Sequence, residues 1–352
     1  MDRANDDKCA QAYFYRTYTY INIVQYIQIA LAILSLVFIF RLIRAEEFQR
    51  LRSLVGANLK FLAFLGICIY IVGAVSSLSF YVYVTILNWL DLSACYYVWK
   101  VINCFVYRLP MYYCIIGFNC FHLSLLVERL FATFGTRQKS TIGDVRRSSV
   151  KPIFGPNCFF IGFMGFTMVL LVPIAVVLWI FVIDSEDLTK TRTYCLAGSI
   201  FGGNRIAIVT YSMLVIDLFS LVGDVLLLIY NKRLLKELYG NGISSYNLQY
   251  RFMVHELQLS IWFIFPFTLI HSLAFSFYLL FFSFNRAYLS GLSEHERYLF
   301  AEINSLSKAL YIMVVPLALL LYHRLQPKDT KMFYRQEEHA EIYFKLFQKQ
   351  IR

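Results

Sequence analysis

Charged and strongly polar residues are scarce in the long apolar runs of this chain, so those that do occur there are the first candidates for chemistry. Arg108, Asn119, His122 and Arg129 are separated by 11, 3 and 7 residues. At about 3.6 residues per helical turn they fall along one stripe. A polar stripe on a helix in lipid faces a bundle interior or a water-filled cavity, although Asn119 and His122 could equally serve neighbouring backbone groups. Asp217 and Asp224, seven residues apart, share one face of a second run, and Glu302, Asn304 and Lys308 lie on a third. Counting about 1.5 Å per residue from the ends of the runs sets Arg108 level with Glu302, and Lys308 level with Asp217 nearer the middle. The expected ion pairs are therefore Arg108 with Glu302 and, on the looser depth match, Lys308 with Asp217. Depth alone does not decide whether such a pair fixes helix packing or meets a ligand.

The remaining motifs argue against an enzyme. The six histidines form no pair with metal-ligand spacing, neither His-Glu-x-x-His nor Gly-x-Ser-x-Gly occurs, and no Gly-rich phosphate loop precedes a helix. Gly240-Asn-Gly242 reads as a turn. No catalytic residue, metal or cofactor is expected.

The elements that must position these residues follow from composition. The 352 residues are 59% hydrophobic and 16% charged, with a mean hydropathy of +0.58, far more apolar than a soluble domain, in which about a quarter of residues are charged. Seven runs, at about 21–43, 59–84, 101–129, 155–183, 206–230, 257–284 and 298–322, are each long enough to span a bilayer as a helix. Continuous runs of this length do not resemble the short alternating strands of a barrel. The prediction is an all-α, seven-transmembrane helix bundle forming one domain, with a tail at 323–352. Residues 1–20 carry Asp2, Arg3, Asp6, Asp7 and Arg16 and no signal-peptide pattern, so the first span is expected to act as its own signal.

With the N-terminus outside, the inner segments hold 22 of the 33 basic residues and the outer ones 9. Positive charge concentrates on the cytoplasmic side of membrane proteins, so this orientation is predicted. The net charge of +11 is then a topology signal rather than a nucleic-acid footprint. Pro110, Pro173, Pro266 and Pro316 fall inside spans, where membrane helices tolerate them as kinks or hinges. Cys68, Cys114, Cys120 and Cys158 also fall in spans, whereas Cys9, Cys95, Cys104 and Cys195 all fall on the proposed outer, oxidising face. Four such cysteines permit two disulfides and three pairings.

The stretch Asn119-Cys-Phe-His-Leu-Ser-Leu-Leu-Val-Glu-Arg-Leu-Phe-Ala-Thr133 resembles the Glu-Arg-x-x-Ala-Thr signature of nematode serpentine chemoreceptors of the Sra superfamily. Tyr250-Arg-Phe-Met-Val-His-Glu256 is similar to that family's Arg-Phe/Tyr-Gln-x-x-Glu-Asn element, and Arg108-Leu-Pro110 to its Arg-x-Pro. Glu341-Ile-Tyr-Phe-Lys-Leu346 resembles the ends of class epsilon (Sre) members. The chain departs from the pattern at Met253, at Leu257 and at Gly135-Thr-Arg137.

The resemblance implies a G-protein-coupled chemosensory receptor in the plasma membrane of a sensory neuron. Its partners would be a small-molecule ligand, a heterotrimeric G protein and the lipid bilayer. In that frame Arg108, Tyr112, His271, Glu302 and Lys308 are expected to line a ligand pocket in the outer half of the bundle. Glu128 and Arg129 would serve G-protein coupling, with Glu256 across the cleft as the carboxylate paired with Arg129 and the adjacent Glu128 as the local alternative. By analogy with rhodopsin-like receptors Cys104 would bond Cys195, leaving Cys9 and Cys95 for a second bond. The alternative class is a small-solute transporter or channel lined by the same buried charges, although repeated halves typical of transporters are not visible.

Overall fold

A computed structural model of the chain describes residues 3–45, 57–90, 92–141, 156–181, 191–195, 203–240, 248–288 and 294–325. A polar helix, α1 (Arg3–Thr17), precedes seven long ones: α2 (Thr19–Arg44), α3 (Ala57–Trp89), α4 (Val101–Thr141), α5 (Pro156–Phe181), α6 (Gly203–Gly240), α7 (Leu248–Tyr288) and α8 (Glu294–Leu325). The seven predicted runs coincide with α2 to α8. Six of these helices are long and apolar enough to cross a membrane, and α5 contributes a shorter described apolar stretch, Met164–Trp179. The chain is thus an all-α protein of membrane type. α4, α7 and α8 continue through Pro110, Pro266 and Pro316, and α5 through Pro173.

The distribution of side chains is inverted relative to a water-soluble fold. Val215, Phe219, Phe277 and Phe284 point outward and are 64–66% exposed, while Arg108, Asn119, His122, Asp217, His271 and Glu302 are buried. An outward apolar face of this extent suits lipid contact, and the buried polar groups find their partners within the protein. Trp89, Tyr20 and Tyr96 are exposed near one end, as expected of amphipathic rings at a membrane–water interface.

The helix with the polar stripe is central. In α4, 72% of the apolar window is buried, against 28–44% in the other five spanning candidates, and α4 packs on α3, α5, α6 and α7. Phe118, Phe121 and Leu125 of α4 form the core with Leu62 and Tyr70 of α3, Phe275 of α7 and Tyr311 of α8. Close approach of α3 to α4 rests on Gly66, where an added Cβ would come within 2.5 Å of the Phe121 ring.

One end of the bundle is covalently fastened. Disulfides join Cys9 to Cys95 and Cys104 to Cys195, so both pairings expected from the sequence occur. A short antiparallel ribbon, β1 (Trp99–Lys100) with β2 (Thr191–Arg192), lays the segment before Cys195 along the start of α4. Before the first span, α1 is helical and anchored. Its Arg16 donates to the carbonyls of Asn88 and Leu90 and lies 4.4 Å from the centre of the Tyr97 ring, and its Tyr15 packs on Tyr298.

Gly66→Ala should lower stability by about 1–3 kcal/mol through overpacking. Gly73→Ala, whose added Cβ would have no neighbour nearer than 3.4 Å, should be neutral or stabilising by up to about 1 kcal/mol through helix propensity. Thermal unfolding of the two variants in detergent checks the difference in sign.

Candidate functional site

The buried polar residues gather into three clusters along α4. The first lies beneath the disulfides and centres on the Glu302 carboxylate of α8. Arg108 of α4 donates to Glu302 Oε1 at 3.1 Å and to the Cys195 carbonyl at 3.0 Å. Tyr194 donates to the same oxygen at 2.7 Å. Gln28 of α2 and Tyr81 of α3 donate to Oε2 at 3.2 and 3.3 Å. The guanidinium also sits 4.2 Å from the centre of the Phe80 ring, a cation–π contact strengthened by exclusion of water. Burial first, and the Glu302 charge second, push the Tyr194 phenol well above its ordinary value, so it remains a proton donor to the carboxylate. The Arg108–Glu302 pair expected from depth is present.

Lys308 and Tyr112 complete this region. Lys308 is buried on α8, where its Nζ lies 3.7 Å from Met111 Sδ. Among the described residues it makes no ion pair, and the expected partner Asp217 is engaged by histidines instead. Residue counting had set the two at one height but could not fix the direction in which each faces around the bundle. Tyr112 is partly buried and packs against the core.

The second cluster is midway along α4. His122 Nδ1 is 2.9 Å from Asp217 Oδ1 and its Nε2 is 3.0 Å from Asp224 Oδ2, both on α6. Seven residues bring the two carboxylates onto one face of α6, so a single imidazole fits between them. Ser272 of α7 donates to Asp217 Oδ1 at 3.2 Å and Ser276 to Oδ2 at 3.3 Å. His271, also on α7, has Nε2 at 3.6 Å from Asp217 Oδ1, and its Nδ1 is 2.6 Å from the Tyr311 hydroxyl. Asn119 donates to the Met213 carbonyl at 2.8 Å, the backbone-satisfying role considered for it. His271, expected in the first cluster, belongs instead to this one.

The third cluster closes the far end. Arg129 donates through Nε to the carboxylate of its neighbour Glu128 and through Nη1 to the Ser260 hydroxyl of α7. All three residues are buried. A small cavity lies beside them, lined by Arg129, Asp224, Leu227, Ile261, Ile264 and Phe265. Among the described residues the carboxylate on Arg129 is its neighbour Glu128, the local alternative. The Glu256 side chain lies outside the described residues, as do Arg146 and Arg147, while Lys232, Arg233 and Lys236 are exposed on α6.

Neither the known protein families nor the curated proteins give a match to this chain. The chemistry open to the site is that of its own residues. Several of them carry no motif. Gln28 shows one recoverable signal, being one of two glutamines three residues apart in an apolar run, Gln25 and Gln28, both buried. Tyr194 adjoins a disulfide cysteine, which fixes its place. Tyr81, Ser260 and Ser272 offer no such signal.

Glu302→Ala should destabilise the protein by about 3–5 kcal/mol, because it strands a buried guanidinium. Lys308→Met should do the reverse and raise the melting temperature, since an ammonium without a carboxylate partner is removed from an apolar interior. Thermal unfolding in detergent distinguishes the two signs.

Proposed function

We propose that the chain is a G-protein-coupled chemosensory receptor with seven spans, α5 being the fourth and completing the set. The N-terminus and both disulfides would lie outside and the tail, 323–352, in the cytoplasm. The observation that carries this reading is the stacking of three buried polar clusters along α4, each linking it to a helix of the α6–α8 half. Glu302 does so through α8, Asp217 and His271 through α6 and α7, and Ser260 through α7. A ligand that binds one arrangement of these helices better than another shifts the population toward it, and a polar spine offers discrete alternative pairings for such a shift.

The ligand site in this reading is the region of Arg108, Tyr112, Glu302 and Lys308. Lys308 is buried with a thioether as its hydrogen-bond partner, so an acidic group on the ligand would gain a countercharge there. Apolar walls with a few convergent polar groups are the usual form of such pockets. At the other end, release of Arg129 from Glu128 and Ser260 would free a guanidinium for the carbonyls of a G protein. The exposed Lys232, Arg233 and Lys236 would add attraction to the anionic inner leaflet. The resemblance of Glu128-Arg129 and its surroundings to the Sra superfamily signature supports the same assignment, and with it the plasma membrane of a sensory neuron.

The test is a calcium or cAMP readout in cells expressing the chain, challenged with odorants and secreted small molecules. A ligand-dependent G-protein signal is expected, lost in Lys308→Met and in Arg129→Ala and kept in Arg146→Ala, all at equal surface level. A normal response from the Arg129 variant would refute the coupling role. Ligand uptake or ligand-gated current without a G-protein signal would favour the transporter or channel class.

A further inference from the structure

We propose that His122, Asp217 and His271 bind a single zinc-class transition-metal ion in the middle of the bundle, bridging α4, α6 and α7. The three are wholly buried, and one donor atom from each lies within 4.8 Å of the other two. His122 Nδ1 and His271 Nε2 stand 2.9 and 3.6 Å from Asp217 Oδ1. Ligands about 2.0–2.1 Å from a tetrahedral ion lie about 3.4 Å from one another, so those two separations need only sub-ångström adjustment. The two ring nitrogens lie within 4.8 Å of each other, and rotation about the histidine side-chain bonds can set them at the ligand spacing. The Ser272 hydroxyl, 3.2 Å from Asp217 Oδ1 and 3.4 Å from His122 Nδ1, borders the fourth position, which it or a water would fill.

The surroundings of the two rings point the same way. A metal-bound histidine characteristically gives its other ring nitrogen to a carboxylate or another hydrogen-bonding group, which fixes tautomer and orientation. Here Asp224 holds His122 Nε2 at 3.0 Å and Tyr311 holds His271 Nδ1 at 2.6 Å. Each ring thus turns its remaining nitrogen toward Asp217. His271 Nε2 is buried and has no hydrogen-bond partner, and a metal ion would give its lone pair one.

Charge counting agrees as well. Asp217 and Asp224 bring two negative charges into an apolar interior, and a protonated His122 would neutralise only one. A divalent ion with two neutral imidazoles balances both. Two imidazole nitrogens with one carboxylate suit zinc, copper, nickel or iron rather than magnesium or calcium, which prefer all-oxygen shells. Histidines 149 positions apart in sequence leave no local spacing to detect, and only the closed bundle brings the three donors together.

The experiment uses the full chain in detergent, stripped with a chelator and titrated with Co2+ and then Zn2+, without ligand or G protein, so its outcome is independent of the receptor reading. One equivalent of Co2+ should bind with the visible spectrum of a tetrahedral N/O site and be displaced by Zn2+. Zn2+ should also raise the melting temperature of the wild-type chain, and chelation should reverse the rise. Asp217→Asn and His271→Gln should abolish the spectrum, with helical circular dichroism and gel filtration reporting retained fold. Asp224→Asn should weaken binding about 10–100-fold through its support of His122, and His323→Gln should leave binding unchanged. Absence of both the Co2+ spectrum and the Zn2+ shift in the wild type would overturn the proposal. So would undiminished binding by folded Asp217→Asn and His271→Gln.

Discussion

A carboxylate inside an apolar helix bundle must find its partners within the protein, and the Glu302 side chain of α8 imposes that requirement on much of the fold. Its oxygens take donors from α2, α3, α4 and the segment preceding Cys195. Four separate parts of the chain therefore converge on one charge. Arg108, which answers it, also holds the Cys195 carbonyl, so the ion pair and the Cys104–Cys195 disulfide fasten the same loop by independent chemistry. Removing either member of such a pair leaves a charge that the interior cannot solvate, which makes the position of α8 against α4 hard to change without rearranging all the partners together.

Farther along α4 the same rule takes a different form. His122 is shared between two carboxylates of α6, and Asp217 in turn draws in serines and a histidine from α7. At the end of the stripe Arg129 divides its donors between a neighbour and α7. α4 is thus a spine whose buried Arg108, Asn119, His122 and Arg129 all reach one or more of the three last helices, while its apolar contacts, through Phe118, Phe121 and Leu125, face α3 as well. Close packing on the α6 side leaves little spare room: a Cβ at Gly223, beside Asp224, would come within 2.7 Å of Leu126.

Much of this was legible in the sequence because helical periodicity is a one-dimensional signal. The stripe from Arg108 to Arg129 follows from spacing alone, and all four of its members are buried. Height in the membrane is also countable, which is how Arg108 found Glu302. Azimuth is not, and Lys308 was therefore assigned to Asp217 although the two face different neighbours. His271 carried no local pattern, since its partners arrive from α4, α6 and α8 only when the bundle closes. α1 has too little apolar surface to announce itself; a disulfide, Arg16 and the packing of Tyr15 hold it in place.

The two disulfides enclose residues 9–95 and 104–195, two rings that follow one another in sequence without overlap and are joined by the eight residues 96–103. Every helix from α2 to α5 is therefore inside a covalent loop or closed by one, and α6, α7 and α8 are in none. All four bonded cysteines precede α6 in the chain, so closing both rings requires nothing from α6, α7 or α8. The first half would then be a stitched platform onto which three unstitched helices are laid, and it is these three that bring Asp217, His271 and Glu302 to the waiting α4.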